Sequence, residues 1–226
     1  MDLRIEPRTV QTQIANKLRD AILSGHFQPG QRLVETELCE LMQVSRTSIR
    51  EALRRLEGER LVTVVPNRGP FVAEITWEEA SEIYAVRALL EGEAAALLAE
   101  RATAEVKRDM TKALGDFVQA NDADDAMGRV TATTRFYEIM LRGCGNRVVA
   151  DLLQDLMARI NFLRARSMSS PGRGRYSAAE MRRILRAIEK RDAAGARAAA
   201  VEHVRSACTA ARTVFEQRKT AAPVTE

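Results

Sequence analysis

Between Pro70 and Pro171 the chain runs for a hundred residues without a proline, whereas prolines at 7, 29, 66 and 70 punctuate its beginning. Proline removes an amide donor and clashes with the preceding helical turn, so a long proline-free span permits uninterrupted helices. Aromatic residues are scarce, at 4 %, and any core must therefore be built from Leu, Ala, Val, Ile and Met. With 46 % hydrophobic and 29 % charged residues the balance is that of a globular chain, not a disordered one. A length of 226 residues suits one large domain or two modest ones.

Several classes of protein drop out on simple grounds. No run of 18 apolar residues offers a membrane span. The first residues, Met1-Asp2-Leu3-Arg4-Ile5-Glu6-Pro7, have no apolar signal core, so a cytoplasmic location is expected. Cys39, Cys144 and Cys208 are odd in number and far apart, which fits neither a disulfide framework nor a zinc site and reads as three small core residues. Only two histidines, His26 and His203, are present. With no nucleophile–base pair, no phosphate-cradling glycine motif and no carboxylate pair, the chain does not read as an enzyme.

The first 75 residues differ in texture from the rest. Val10, Ile14, Leu18, Ala21 and Ile22 recur at helical spacing, and Phe27-Gln28-Pro29-Gly30 reads as a turn. A second helix is expected with Leu38, Leu41 and Met42 on one face. Ser45 stands at an N-cap position before a third helix, whose core stripe is Ile49, Ala52, Leu53 and Leu56. Leu61-Val62-Thr63-Val64-Val65 and Phe71-Val72-Ala73, around Pro66-Asn67-Arg68-Gly69, predict a hairpin. Three helices and a hairpin outline a winged helix-turn-helix.

Beyond it the pattern is all helical. Thr76 and Glu79, and again Ser177 and Glu180, have capping-box spacing. Helices are expected through Val106/Met110/Leu114/Phe117, through Val130/Tyr137/Leu141 and through Val149/Leu152/Leu156/Ile160/Leu163. Two more follow, one through Ile184/Leu185/Ile188 and a last one over roughly 193–218 with Val201, Val204, Cys208, Ala211 and Phe215 inward. The fold expected is mainly α: a winged helix-turn-helix domain (1–75), an all-α antiparallel bundle of six or seven helices (76–220) and a disordered tail (221–226).

The third helix carries the first chemistry. Opposite its core stripe stand Arg46, Thr47, Arg50 and Arg54, and Arg46 to Arg68 holds six arginines against three glutamates. Guanidinium forks grip guanine edges or phosphates, and a helix N-terminus adds free amides. A basic face on a core helix is ordinarily just solvated surface, but here it lies in a helix-turn-helix followed by a hairpin, which points to DNA. Net charge says little, since it is only +4 overall, and residues 1–72 hold 11 basic against 9 acidic groups. What matters is where the arginines stand.

Arg32-Leu33-Val34-Glu35-Thr36-Glu37-Leu38, Val44-Ser45-Arg46-Thr47-Ser48-Ile49-Arg50-Glu51-Ala52-Leu53-Arg54-Arg55-Leu56 and Pro66-Asn67-Arg68-Gly69 resemble the DNA-binding domain of GntR-type bacterial transcription regulators. Ile83-Tyr84-Ala85-Val86-Arg87-Ala88-Leu89-Leu90-Glu91 resembles their FadR branch, and the likeness runs from about residue 10 to 215. It implies a recognition helix in the major groove and a wing tip in the minor groove. The implied DNA contacts are Thr36, Ser45, Arg46, Thr47 and Arg50, with Asn67, Arg68 and Gly69 at the wing; Arg54 is added from its place on the basic face. The chain departs from the family pattern at Gln43 and Arg60, where glycine is usual, and at Ser48, where proline is. The first two imply some backbone strain.

For the second domain the resemblance implies an effector cavity and, in most relatives, a divalent metal held by one Asp and three His. At those positions this chain has Thr133, Tyr137, Met181 and His203. Two hydroxyls, a thioether and one imidazole are a poor set for such an ion, so no metal and no other cofactor is expected. Arg87 matches the family arginine that meets an effector carboxylate. The expected effector group is therefore Arg87, Thr133, Tyr137, Met181 and His203, although Arg87 could instead snorkel outward or pair with Glu91 one turn on. His203 alone reads as an ordinary core or surface histidine, and Met140, Met157, Met168 and Met181 as core filling. Arg164, Arg166, Arg173 and Arg175 flank a Ser-Met-Ser-Ser-Pro-Gly-Arg-Gly segment and read as a solvated loop, with a cavity lid or an extra phosphate contact as the sharper options. The function expected is a metabolite-responsive repressor that binds a palindromic double-stranded DNA operator as a homodimer and answers to a small anionic effector. The alternative is a constitutive DNA-binding protein whose helical domain only dimerises.

Overall fold

A computed structural model describes residues 10–168, 170 and 172–221, apart from the side chains of 218–221. The chain divides into two compact units, Met1–Glu74 and Ile75–Glu226. Of the expected tail, only Ala221 is described, as the last residue of a helix.

The first unit holds α1 (Val10–Leu23), α2 (Glu35–Met42), α3 (Arg46–Gly58), β1 (Val62–Val65) and β2 (Gly69–Val72). Its core is the stripe of α1 (Ile14, Ala15, Leu18, Ile22) closed against Ile49, Ala52, Leu53 and Leu56 of α3, with Leu33, Leu38, Leu61 and Val72 filling in. Ser45 caps α3, its Oγ accepting the Ser48 amide at 3.2 Å. The strands pair antiparallel, Val62 with Val72 and Val65 with Gly69. Arg32 bridges Phe71, and the Leu33 amide donates to Pro70 O at 2.8 Å, so the chain before α2 braces the hairpin from its outer edge. Arg19 of α1 fixes the far end with two bonds to Glu59, at 2.6 and 2.8 Å.

Gln43 and Arg60 adopt positive φ, 53° and 57°. A β-carbon there costs roughly 1–2 kcal/mol, the strain expected where relatives have glycine. Gln43 offsets part of it by closing α2, its amide donating to Cys39 O and its side chain to Glu40 O at 2.7 Å. Leu41 departs from expectation. It is 67 % exposed, while Leu38 alone of α2 is buried, and Leu41 instead lines a groove with Val10 and Phe27.

The second unit is six helices among the described residues: α4 (Trp77–Arg101), α5 (Ala104–Asp122), α6 (Ala126–Gly143), α7 (Arg147–Met168), α8 (Arg173–Glu189) and α9 (Ala193–Ala221). Thr76, Thr103 and Asp125 cap α4, α5 and α6 through side-chain oxygens that accept the amides of Glu79, Val106 and Gly128. The longest two, α4 and α9, pack along one another. Small residues make this possible: Ala94, Ala95 and Ala99 on α4 and Ala196, Ala200 and Ala207 on α9 are all buried. At Gly92 a β-carbon would come within 2.9 Å of Val201 Cγ2, so a larger residue there would require Val201 to shift.

Two readings of helix faces are corrected here. The inward stripe of α7 is Val149, Leu153, Met157, Ile160 and Leu163, leaving Leu152 half exposed and Leu156 only partly covered. Ser177 does not cap a helix, because α8 begins four residues earlier at Arg173. Ser177 and Glu180 are instead both buried inside the unit.

Candidate nucleic-acid interface and buried charge cluster

Packing of Ile49, Ala52, Leu53 and Leu56 into the core turns the other side of α3 to solvent. Arg46, Thr47, Arg50 and Arg54 are all exposed there, beside the exposed cap Ser45 and the exposed Thr36 at the start of α2. The wing tip is a tight turn with Asn67 at φ 61° and Gly69 at φ 89°, closed by the Arg68 amide donating to Val65 O at 3.1 Å. Asn67 and Arg68 are exposed, and the Arg68 guanidinium lies 5.3 Å from the centre of the Phe71 ring. The unit thus offers a basic helix face and a basic loop tip, each on a rigid element.

Sequence reasoning missed Glu35. This first residue of α2 accepts two bonds from Arg50 Nε, at 2.9 and 3.1 Å, and its carboxylate lies 3.2 Å from Arg46 Nε. Both contacts run through Nε, so the Nη pairs of the two forks take no part in them. Glu35 therefore aligns two otherwise floppy side chains while leaving their paired donors for a ligand. The signal was indirect: Glu35 precedes Thr36, and only the angle between α2 and α3 brings it to Arg50.

In the helical unit Arg87 is fully buried, and its Nε donates to Glu91 Oε1 at 2.9 Å, one turn along α4. The pairing with Glu91, one of the alternatives weighed against an effector contact, is thus present, and outward snorkelling is not. Arg164 enters from α7, only 2 % exposed, with its guanidinium 4.7 Å from the centre of the Tyr137 ring and its Nη2 3.9 Å from the same Glu91 oxygen. Its Nη1 donates to Asn161 Oδ1 at 3.0 Å. Arg87 Nη1 and Nη2, Arg164 Nε and Nη2, and Glu91 Oε2 are buried without a hydrogen-bond partner. Burial works to raise the Glu91 carboxyl, yet the charges of Arg87 and Arg164 together outweigh it and hold Glu91 below its usual value. Burial and the neighbouring Arg87 charge push Arg164 down to about 10. Burial drives the Tyr137 phenol well above its usual value, so it stays neutral.

A second cluster adjoins through Tyr137, whose ring stacks on His203 at 5.9 Å. His203 Nδ1 and Arg173 Nη2 each lie 2.8 Å from Glu180 Oε2. Burial lowers the His203 imidazole below its usual value despite Glu180. Burial would raise Glu180, but the bonds from His203 and Arg173 prevail and bring it to about 2. His203 is thus neutral with its proton on Nδ1, donated to an ionised carboxylate.

These shifts set a pH dependence. A histidine whose folded value lies below 6.5 binds fewer protons folded than unfolded, so its contribution is present above pH 6.5 and lost as pH falls. Glu91 and Glu180, both below 4.5, contribute above pH 4.5 and lose that contribution as pH falls, for Glu180 down to about 2. Trp77, the sole tryptophan, packs against Phe215 within this unit and reports its unfolding. The melting midpoint followed by its fluorescence is expected to decline below pH 6.5 and more steeply below 4.5. His203→Gln, which can still donate to Glu180, should abolish the first decline and keep the second. An identical curve for the variant between pH 7 and 5 would assign that decline elsewhere.

Of the expected effector group, Arg87, Tyr137 and His203 come together around Glu91, Arg164 and Glu180. Thr133 and Met181 are fully buried, and the Thr133 hydroxyl donates to its own helix at Arg129 O (2.8 Å). The solvated-loop reading of the arginines is corrected for two of them. Because α7 continues to Met168 and α8 starts at Arg173, Arg164 and Arg173 are inward-facing helical residues. Arg175 is exposed, and Arg166 lies against the rings of Phe162 and Phe215. Ser169 and Pro171 of that segment lie outside the described residues.

The family's divalent metal does not fit these side chains. The Thr133 hydroxyl is spent on its helix, Tyr137 is held as neutral phenol, His203 Nδ1 is committed to Glu180, and a guanidinium covers the Tyr137 ring. A second cation at that place would be repelled. Among the described residues no three His, Cys, Asp or Glu gather as a metal site, and no helix is long and apolar enough to cross a membrane.

Comparison with known proteins agrees with this architecture. The family "Bacterial regulatory proteins, gntR family" matches residues 10–72, and the FCD domain family matches residues 82–206. The chain is 29 % identical over 216 residues to the Bacillus subtilis (strain 168) "Uncharacterized HTH-type transcriptional regulator YdhC", covering 95 % of this chain and 96 % of that protein. It is 32 % identical over 153 residues to the Escherichia coli (strain K12) "HTH-type transcriptional repressor GlaR", covering 65 % of this chain and 70 % of that one. The solved structure of E. coli McbR/YncC superposes with a TM-score of 0.78 at 23 % identity, over 93 % of this chain and 99 % of the other, and so shares its fold. A helix-turn-helix with an exposed arginine face, followed by an FCD domain, places the chain in the GntR family of bacterial regulatory proteins, in its FadR-type branch, as a DNA-binding transcriptional regulator.

Proposed function

We propose that the protein is an effector-responsive repressor that binds a palindromic operator as a homodimer and is released or re-oriented by a small anionic metabolite held in its helical unit. The observation that carries this reading is the pair of buried arginines, Arg87 and Arg164, whose guanidinium nitrogens are left in part without partners. A bundle that served only to dimerise would have no use for them, because an unpaired buried charge is costly. Arg87, Tyr137 and His203 form the effector site together with Glu91 and Arg164; Thr133 and Met181 contribute walls. Contact with DNA falls to Thr36, Ser45, Arg46, Thr47, Arg50 and Arg54 and to the wing residues Asn67, Arg68 and Gly69. GlaR, a relative, is a repressor by name, which supports that sign of regulation.

A dimer is supported by α4, which leaves Val86 and Leu89 exposed three residues apart, Leu89 by 74 %. Two-fold symmetry in the protein requires inverted half-sites in the DNA. The effector acts only if it binds the DNA-competent and DNA-incompetent arrangements with different affinity.

Selection of bound sequences from a random duplex library, followed by gel-shift titration in the presence of organic acids, tests the reading. It should yield inverted half-sites with centres about one turn, roughly 10 base pairs, apart, and at least one acid should weaken the complex. A single half-site would remove the dimeric operator. Binding unchanged by every acid would favour the constitutive alternative.

A further inference from the structure

Arg32, Phe71 and Thr63 form a row across the wing. Arg32 bridges Phe71 in antiparallel register, with the Leu33 amide donating to Pro70 O at 2.8 Å and the Val72 amide to Gln31 O at 2.9 Å. These bonds flank the two residues instead of joining them, so Arg32 and Phe71 are a non-hydrogen-bonded pair, the kind whose side chains stand closer. Thr63 faces Phe71 from β1. Residues opposed in a ladder point to the same face of the sheet. Here it is the face away from the core, because the adjacent Val62, Val72 and Leu33 are buried. Arg32 and Thr63 are accordingly exposed, and Phe71 is half-buried.

The Phe71 ring also carries the Arg68 guanidinium, 5.3 Å from its centre. Two arginines therefore border one ring, one from the wing tip and one from the strand edge. Arg46 and Arg50 have Glu35 as a counter-charge, whereas among the described residues Arg32 and Arg68 make no ion pair. Glu74 lies over Gly30 and pairs with neither.

We infer that the outer face of the wing is a further DNA-binding surface, on which Arg32 grips a backbone phosphate and Phe71 is the positioning residue for Arg68. The inference rests on the reading of Arg68 as a DNA contact. The minor groove is only about 6 Å wide, and neighbouring strands lie about 4.8 Å apart. A side chain one strand over from a guanidinium inserted in that groove therefore stands above the phosphates that bound it. Two exposed cations with no carboxylate to neutralise them suit a polyanion. The ring limits the orientations open to Arg68 before DNA arrives.

Anisotropy titrations of the full chain, on the duplex recovered by selection and on a random duplex at several salt concentrations, test both roles. Arg32→Ala should weaken the two duplexes alike and reduce the slope of log affinity against log salt by about one per subunit, and Arg32→Lys should restore that slope. Phe71→Leu should weaken the selected duplex several-fold, whereas Phe71→Tyr, which keeps the ring, should not. In an Arg68→Ala background Phe71→Leu should have no further effect. Circular-dichroism melting should be unchanged for Arg32→Ala, whose bridge to Phe71 is made by backbone atoms. Should Phe71→Leu melt early, Phe71→Met, which keeps more of the bulk without the ring, takes its place.

An unchanged salt slope for Arg32→Ala overturns the phosphate contact. A Phe71→Leu effect that persists in the Arg68→Ala background, or none in either background, overturns the positioning role. In those cases DNA binding through Arg68 stands. Unchanged affinity for Arg68→Ala alone would overturn that reading, and with it the role of Phe71.

Discussion

Glu91→Leu is expected to destabilise the helical unit by about 3–5 kcal/mol, the range found when one partner of a buried ion pair is removed. Glu91 is the carboxylate on which both Arg87 and Arg164 depend, at 2.9 and 3.9 Å. Leucine fills similar space, so the loss comes from stranding two guanidinia in a medium that solvates them poorly, not from a cavity. Urea unfolding followed by Trp77 fluorescence measures it, since that indole lies in this unit. Electrostatics and packing make different forecasts for the combined variant Arg87→Met, Glu91→Leu, Arg164→Met. If charge is responsible, replacing the whole cluster with apolar groups restores most of the lost stability. A loss below about 1 kcal/mol for Glu91→Leu, the level of an exposed pair, would mean that water reaches the cluster freely and that Arg87 is not held in a closed site.

What the sequence could and could not disclose follows from how local each feature is. Ser45, Thr76 and the stripe Ile49/Ala52/Leu53/Leu56 were legible because a cap and a helix face are set by residues within two turns. Gln43 and Arg60 were legible as strained because a left-handed turn position shows itself by the glycine that relatives place there. Arg164 was not. Its neighbours Arg166, Arg173 and Arg175 gave it the look of a loop flank, and its inward direction is decided by Glu91 on α4 and Tyr137 on α6, which no local pattern reveals. The α7 stripe slipped by one residue for a related reason. Leu152, Leu153 and Leu156 offer alternative apolar faces, and only the packing of neighbouring helices selects Leu153. Ser177 and Glu180 had capping spacing, but Glu180 is drawn inward by Arg173 and His203. The same three groups thus misdirected the boundary of α8 and hid the second half of the cluster.

Arg50→Ala is expected to lower operator affinity by about 5–150-fold per half-site, the equivalent of one lost base contact at 1–3 kcal/mol in each subunit, while affinity for random duplex changes little. Arg50 stands in the second turn of α3, with its Nε held by Glu35, an arrangement that presents a pre-aligned fork rather than a mobile charge. Arg46, at the first turn beside the free amides of the helix start, is placed for a phosphate. Arg46→Ala should therefore weaken operator and random DNA alike and reduce the slope of log affinity against log salt by about one per subunit. Glu35→Gln separates alignment from charge. It removes a carboxylate that repels phosphates, so binding to random DNA should tighten, but it also loosens Arg50, so the ratio of operator to random affinity should fall. Gel-shift or anisotropy titrations on both duplexes at several salt concentrations read all three variants. None should lower the melting temperature, because these side chains carry no part of the core. If Arg50→Ala lowered both affinities equally, Arg50 would be a phosphate contact, and base readout would have to pass to Thr47, Arg54 or the wing.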